Sequence, residues 1–225
     1  MPLLSVIIPA YNEAKTIRQI LEKVESLDID KEIIVVNNGS TDGSEKILSE
    51  IKYYDLKVIH LTVNRGKGSA FLTGLSQASG EFVIIQDADL EYDPVDYRKL
   101  IDAIKGYNSD FVLGARFLGG HQGLFMHRLG NRFLTGFFNF LFKTKLNDYA
   151  TCYKLAKKST WDVLNLKATG FNIDIEIIAK ASKRKMRVVE VPVSYMPRTY
   201  EEGKKIRWVD GLWAMFYMFK YRFGK

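Results

Sequence analysis

Three acidic residues alternate with apolar ones in Gln86-Asp87-Ala88-Asp89-Leu90-Glu91. In extended backbone residues 87, 89 and 91 point to one side of the chain, so their carboxylates converge. Such a group repels itself unless solvent or a cation screens it. Hard divalent cations, Mg²⁺ or Mn²⁺, take oxygen ligands of this kind and readily share a site with a diphosphate. Asp87, Asp89 and Glu91 are therefore candidate metal ligands. The plainer alternative is an acidic turn that caps a helix over Pro94–Lys105.

A second polar segment, Asn64-Arg65-Gly66-Lys67-Gly68-Ser69, pairs glycines that permit close backbone approach with a lysine suited to a phosphate. It lacks the G-x-x-x-x-G-K-[ST] spacing of a Walker loop. The segment Pro9-Ala10-Tyr11-Asn12-Glu13 stands where a nicotinamide-dependent dehydrogenase would carry G-x-G-x-x-G, and that reading is disfavoured. Asn37-Asn38-Gly39-Ser40-Thr41-Asp42-Gly43 is a polar turn able to cap the helix after it. His60, His121 and His127 lack the clustering of a zinc site, and Cys152, the one cysteine, excludes an internal disulfide framework.

Each of these segments follows a β-rich run. Strands are predicted at Leu4–Ile8, Glu32–Val36, Lys57–Leu61, Phe82–Gln86 and Phe111–Ala115. Between them Ile17, Ile20, Leu21 and Val24 recur at helical spacing, as do Ala70, Phe71, Gly74, Leu75 and Ala78, and then Tyr97, Leu100, Ile101 and Ile104. Strand–helix alternation predicts an α/β fold with a mostly parallel sheet flanked by helices, and ligands gather at the carboxyl ends of such strands. The second half is less regular. Helices are predicted over Arg128–Lys143, Asn172–Lys183 and Val209–Tyr221, and a strand over Val188–Val193.

The 225 residues are enough for one sizeable domain, and 47% hydrophobic with 26% charged residues is ordinary for a globular chain. Residues 1–110 carry 12 Lys and Arg against 18 Asp and Glu, whereas residues 111–225 carry 21 against 8. An acidic first half suits a metal and a basic second half suits phosphates or anionic lipid, solvated faces being the bland alternative. No nucleic-acid-binding motif is present, and no nucleic-acid partner is expected. The single cysteine points to an intracellular setting, and Met1 to Pro9, with no basic n-region, reads directly as a strand rather than a signal peptide.

Neither Phe133–Phe142 nor Gly211–Phe219 reaches the roughly 20 apolar residues of a bilayer span. In the first of these helices Arg128, Arg132, Thr135, Asn139 and Lys143 form one polar stripe. Leu129, Phe133, Phe137, Phe138, Phe140 and Leu141 make a broad apolar face. That pattern describes a helix lying in a membrane interface, with a soluble core helix as its rival. Trp208–Phe223 is apolar nearly all round and ends in Lys220, Arg222 and Lys225. It suits membrane docking, subunit pairing or burial, and membrane association without a span is the favoured reading.

Taken in order, Pro9-Ala10-Tyr11-Asn12-Glu13, Asn64–Lys67 and Asp87-Ala88-Asp89 resemble family 2 glycosyltransferases of the GT-A fold. Further residues resemble the branch with dolichyl-phosphate mannose synthases and polyprenyl-phosphate glucosyltransferases. These are Gly114-Ala115-Arg116-Phe117, Gly170-Phe171, the run from Val191-Pro192-Val193 to Pro197-Arg198, and Glu202-Gly203-Lys204-Lys205. The resemblance spans nearly the whole chain and implies a single domain over residues 1–225. In it, 1–115 is the nucleotide-sugar half and 116–225 the acceptor and membrane half, with amphipathic C-terminal helices.

By that resemblance Pro9, Tyr11, Glu13, Asn38 and Asp42 belong to the nucleotide pocket. Lys67, Asp87 and Ala88 belong to the donor site, and Asp89 and Glu91 hold a Mg²⁺ or Mn²⁺ that bridges the diphosphate. Arg198 and Lys204 would meet the donor phosphates, and Arg116 and Arg128 the acceptor phosphate. Asp89, Arg116 and Arg198 are thus the expected catalytic residues. The family usually has two aspartates where this chain has Asn37 and Asn38, which leaves the nucleotide open between GDP-mannose and UDP-glucose.

The implied reaction is inverting transfer of a hexose to a polyprenyl (dolichyl) phosphate by a protein peripheral on the cytoplasmic face of a membrane. A phosphate acceptor, with a second pKa of about 6, is already largely a dianion and needs positioning more than deprotonation. A sugar hydroxyl would need a base, for which Asp148, Asp174 and Glu176 are the fallback candidates. The alternatives are a soluble transferase that extends a polysaccharide or glycolipid, and a catalytically inactive membrane-associated scaffold.

Overall fold

The computed structural model describes residues 1–118, 125–198 and 208–224. Seven strands form one sheet in the order β3-β2-β1-β4-β6-β5-β7. They are β1 (Leu4–Ala10), β2 (Lys31–Asn38), β3 (Leu56–Leu61), β4 (Phe82–Ile85), β5 (Phe111–Ala115), β6 (Lys154–Lys157) and β7 (Val188–Pro192). Neighbours run parallel except at β6, which lies antiparallel to both β4 and β5. The mostly parallel α/β reading therefore holds, and one sheet draws strands from both halves of the chain.

The inner strands are near-continuous β-branched and aromatic runs because both of their faces are covered. Eight α-helices are described: α1 (Ile17–Glu25), α2 (Ser44–Glu50), α3 (Lys67–Leu75), α4 (Tyr97–Gly106), α5 (Phe125–Phe142), α6 (Lys158–Leu164), α7 (Ile173–Lys183) and α8 (Trp208–Phe223). Ile17, Ile20, Leu21 and Val24 of α1 are all buried, the stripe that their spacing requires. α3 lies directly on the sheet. A Cβ added at Gly74 would sit 2.5 Å from Ile7 Cγ2, so glycine sets how closely helix and strand approach.

Three elements escape the sequence pattern. The strand β6 reads Lys-Leu-Ala-Lys, yet Lys154 is fully buried because a carboxylate meets it, which hydropathy does not register. The helices α2 and α6 have seven residues each, too few for a clear periodicity.

The helix α5 departs from its expected two-faced pattern. Thr135 of the polar stripe is buried, and Asn139 bonds the chain beyond the helix at Thr144 and Leu146. Phe138, Leu141 and Phe142 enter the core, while Leu129, Phe133 and Phe140 face outward, Phe140 being 80% exposed. The broad apolar face is thus split between core and surface.

The helix α8 packs against α5 and α7, with Phe137 and Phe219 rings 5.3 Å apart, and Met218 wholly buried. Its Leu212, Trp213, Phe216, Phe219 and Phe223 stay about half exposed or more, on one helical stripe. No helix among the described residues is long and apolar enough to cross a membrane.

Candidate active site

The carboxyl ends of β1 and β4 meet the segment that follows β7. The strand β4 stops at Ile85, and the acidic run turns rather than continuing extended, with Leu90 in the left-handed region at φ 63°. The expected convergence of 87, 89 and 91 on one side of a strand is corrected accordingly: the turn divides the acids between two cations.

Asp87 faces Lys67 Nζ at 2.8 Å. Asp89 Oδ2 accepts from Arg198 Nη2 at 2.9 Å, and Glu13 Oε2 accepts from Nη1 at 3.2 Å. Glu91 Oε1 accepts from the Arg198 backbone N–H at 3.0 Å and stands 3.7 Å from its Nε, a buried donor without a hydrogen-bond partner. The helix-capping alternative holds for another residue. Asp93 Oδ1 accepts from Val95 N–H and caps the short 3₁₀ turn Pro94–Asp96.

One guanidinium therefore serves three carboxylates, Asp89 and Glu91 from the acidic turn and Glu13 from a distant part of the chain. Burial, then the charges of Asp87 and Glu91, push the Asp89 carboxyl up to about 7 against the opposing pull of Arg198. Asp89 and Glu91 place hard carboxylate oxygens side by side around one monovalent cation, and oxygen donors of this kind fit Mg²⁺ or Mn²⁺. In this structure the acids spread across the guanidinium's width, and no three His, Cys, Asp or Glu side chains among the described residues close into a metal cluster.

Lys67 opens α3 and joins a second network. It stands 2.8 Å from Asp87 and 3.6 Å from Asp174, which also pairs with Lys154 at 2.6 Å. Burial alone would lower the Lys67 pKa, but Asp174 and Asp87 hold it well above the usual lysine range. Burial likewise opposes ionisation of Asp174, yet Lys154 and Lys67 bring it below the usual carboxylate range. The glycines beside Lys67 are required by a contact within the protein itself. A Cβ at Gly66 or Gly68 would strike the backbone oxygens of Thr169 and Ala168, and Ser69 N–H donates to Thr169 O at 2.9 Å. These glycines let the lysine turn dock on the protein's own backbone.

Where the nucleotide pocket is expected, Pro9 is the penultimate residue of β1, which Ala10 ends, Tyr11 and Glu13 follow, and Ala88 is the buried residue within the acidic run. Asp42 ties two turns together, accepting from Ala14 N–H at 2.9 Å and Ser44 N–H at 3.0 Å. Asn38 accepts from Arg65 N–H and donates to Asn64, each at 3.0 Å, so it holds the lysine turn in a way an aspartate could not. Asn37 Nδ2 lies 3.1 Å from His60 Nδ1.

Arg116, expected to grip an acceptor phosphate, is engaged bidentately by fully buried Asp148, with Nε and Nη2 both at 2.7 Å. It is 9% exposed, so its described hydrogen bonds are structural. Arg128 is half-buried in the first turn of α5, outside this network, and Lys204 lies outside the described residues.

Sequence reasoning missed Tyr195, whose hydroxyl donates to Glu91 Oε2 at 2.8 Å, and Gln86, whose Nε2 donates to the Asp87 carbonyl at 2.8 Å. Gln86 could have been suspected as a polar residue at a buried strand end. Tyr195 lies inside the run from Val191 to Arg198 that carries the resemblance, but nothing in the sequence singles it out within that run.

This sheet, with its reversed strand and its acidic turn beyond β4, is the fold of the GT-A glycosyltransferases. Glucosyl-3-phosphoglycerate synthase from Mycobacterium tuberculosis, solved with phosphoglyceric acid, matches with a TM-score of 0.73 at 21% identity, over 98% of this chain and 80% of that one. The mannosyltransferase PcManGT from Pyrobaculum calidifontis, solved with GDP-Man and Mn²⁺, matches with a TM-score of 0.65 at 22% identity, over 88% and 58%.

The model of the family described as Glycosyl transferase family 2 matches residues 5–164, and the chain belongs to that family. It is 31% identical over 208 residues to a dolichol-phosphate mannosyltransferase of Pyrococcus furiosus, covering 89% of this chain and 58% of that protein. It is 27% identical over 207 residues to the low-salt glycan biosynthesis hexosyltransferase Agl6 of Haloferax volcanii, covering 89% and 49%. The chain thus spans about half the length of these sequence relatives.

Proposed function

We propose that the chain transfers a hexose, with inversion, from GDP-mannose or UDP-glucose to a polyprenyl (dolichyl) phosphate at a membrane surface. The observation that carries the choice of acceptor is the state of the fallback bases. Asp148 is chelated by Arg116, and Asp174 by Lys154 and Lys67. Glu176 accepts from the N–H groups of Lys167 and Ala168 and pairs with Lys180 at 2.6 Å. With all three carboxylates committed, an acceptor that arrives already ionised fits the site better than a hydroxyl that must be deprotonated. The sequence likeness to a dolichol-phosphate mannosyltransferase supports the same acceptor.

In the proposed reaction an acceptor phosphate oxygen attacks the anomeric carbon as the bond to the nucleoside diphosphate breaks. Asp89 and Glu91, with Asp87 beside them, would hold Mg²⁺ or Mn²⁺. That cation, when bound, supplies Lewis-acid stabilisation of the departing diphosphate. Glu13, Tyr11 and Asp42 would frame the nucleotide, and Asn38 supports the turn that delivers Lys67. Arg198 would pass from the carboxylates to the diphosphate, adding positive charge where negative charge develops. Arg128 and Lys204 would add to the acceptor and donor grips. Arg116, held by Asp148, would present its remaining N–H groups to the acceptor phosphate.

The half-exposed aromatics of α5 and α8 would rest in the bilayer interface on its cytoplasmic side, with Lys220 and Arg222 near anionic headgroups. The test incubates purified protein with Mg²⁺ or Mn²⁺, a short polyprenyl phosphate and radiolabelled GDP-mannose or UDP-glucose. Label entering the organic phase, and its loss in Asp89→Asn, is the expected result. Label found only in water-soluble saccharide would replace the lipid phosphate with a sugar acceptor.

A further inference from the structure

Glu91 is fastened by groups that lie just beyond β7. Tyr195 Oη donates to its Oε2 at 2.8 Å, and the Arg198 N–H donates to its Oε1 at 3.0 Å. Met196 N–H donates to the Glu91 carbonyl at 2.8 Å, and Tyr92 and Tyr195 form an antiparallel bridge. Both the backbone and the carboxylate of Glu91 are thus held from the same short segment.

The Tyr195 ring is itself fixed. It lies 5.2 Å from the Tyr92 ring centroid, and the Arg116 guanidinium stands 5.2 Å from its own centroid. Arg116 is in turn locked by Asp148. A phenol with a pinned ring has one free variable, its hydroxyl rotor, and that hydroxyl meets a carboxylate of the candidate metal site.

We infer that Tyr195 is a positioning residue, whose hydroxyl aims the Glu91 carboxylate at the divalent cation from a ring anchored on Arg116. The inference rests on the proposed cation site at Asp89 and Glu91. With Oε2 held by the hydroxyl and Oε1 by the Arg198 N–H, the carboxylate keeps one orientation, each oxygen retains a lone pair for the cation, and rotamers that would otherwise be lost on binding are already removed. Partners standing one shell behind metal ligands commonly change metal affinity by about 10–100-fold when removed.

The experiment compares wild type with Tyr195→Phe, which keeps the ring and its packing and removes the donor. Mn²⁺ affinity is read by the decrease of the free-ion electron paramagnetic resonance signal, at a temperature where both proteins are folded. Thermal unfolding in EDTA is measured alongside. The expected result is Mn²⁺ binding weaker by about tenfold, with an unfolding midpoint in EDTA close to wild type. Equal Mn²⁺ affinity overturns the inference, whatever the midpoint does, since a purely structural hydroxyl would alter stability alone. Wild-type protein that binds no Mn²⁺ overturns the cation site and this inference together, whereas wild-type binding with an equal variant overturns only the inference.

Discussion

Arg198 Nη2 lies 2.9 Å from Asp89 Oδ2, on an acid proposed to hold a divalent cation. A guanidinium and a metal ion cannot share the same lone pairs, so the two compete. Replacing Arg198 with Gln removes the competitor while leaving all three carboxylates. Mn²⁺ affinity without nucleotide should rise severalfold, and affinity for UDP or GDP in the presence of Mn²⁺ should fall, by about tenfold for a lost charge-assisted contact. Calorimetric titration of both ligands checks the two opposite signs. Weaker Mn²⁺ binding in the variant would show instead that Arg198 supports the cation site.

Asp89→Asn should lower metal-dependent transfer by about 10²–10³-fold or more, since it removes a charged ligand of the cation proposed to stabilise the departing diphosphate. Mn²⁺ at a hundred times its dissociation constant should stabilise wild type by about 2.7 kcal/mol and the variant far less. Thermal unfolding with and without EDTA measures the difference.

Asp174 is the acid between two lysines, one of them fully buried. Asp174→Asn leaves Lys154 without its countercharge and should cost about 3–5 kcal/mol. The sign of the pH effect follows from the lowered pKa of Asp174. Its contribution is complete above the ordinary aspartate value of 3.8 and is lost as pH falls below that value through the folded one. The stability gap between wild type and variant should therefore be constant near neutrality and shrink below about pH 4. Urea titrations across that range test it.

Gly68→Ala places a methyl group against the Ala168 carbonyl, which belongs to the backbone and cannot step aside cheaply. A loss of about 1–3 kcal/mol is expected, as for overpacking. Lys67 is the next residue, so weaker nucleotide binding should accompany it. A variant as stable as wild type would mean that the 168–170 segment yields easily.

Trp213 and Phe216 of α8 are each more than half exposed, so replacing both with Ser should leave the unfolding midpoint nearly unchanged. Co-sedimentation with vesicles containing anionic lipid should fall by about tenfold or more, given roughly 1.5–3 kcal/mol for each apolar side chain removed from water. Unaltered co-sedimentation would take this face away from the membrane.

The first half of the fold was legible because its strands are continuous apolar runs and its helices carry clean stripes. Ile17, Ile20, Leu21 and Val24 announce α1 in the sequence and are all buried in the structure. The locations of the acidic turn and the lysine turn were equally readable, since each follows a strand. Their geometry was not: a left-handed Leu90 and glycines that meet Thr169 and Ala168 are decided by tertiary contact. Nor could hydropathy find β6, whose buried lysine depends on a partner twenty residues away, or Tyr195, which matters through an acid more than a hundred residues earlier.

The reversed direction of β6 brings the start of a strand, rather than an end, to the rim that carries the site. Lys154 stands at that start, paired with Leu113 of β5, and the next residue, Leu155, is held by ladders to both β4 and β5. Its position is therefore counted in residues from both neighbours, like a tooth meshed between two gears. An inserted residue within β6 would reverse the facing of the residues beyond it, taking either Lys154 or the strand's remaining ladder out of place. Insertions and deletions are then tolerated in segments that the sheet does not index, and not within β6.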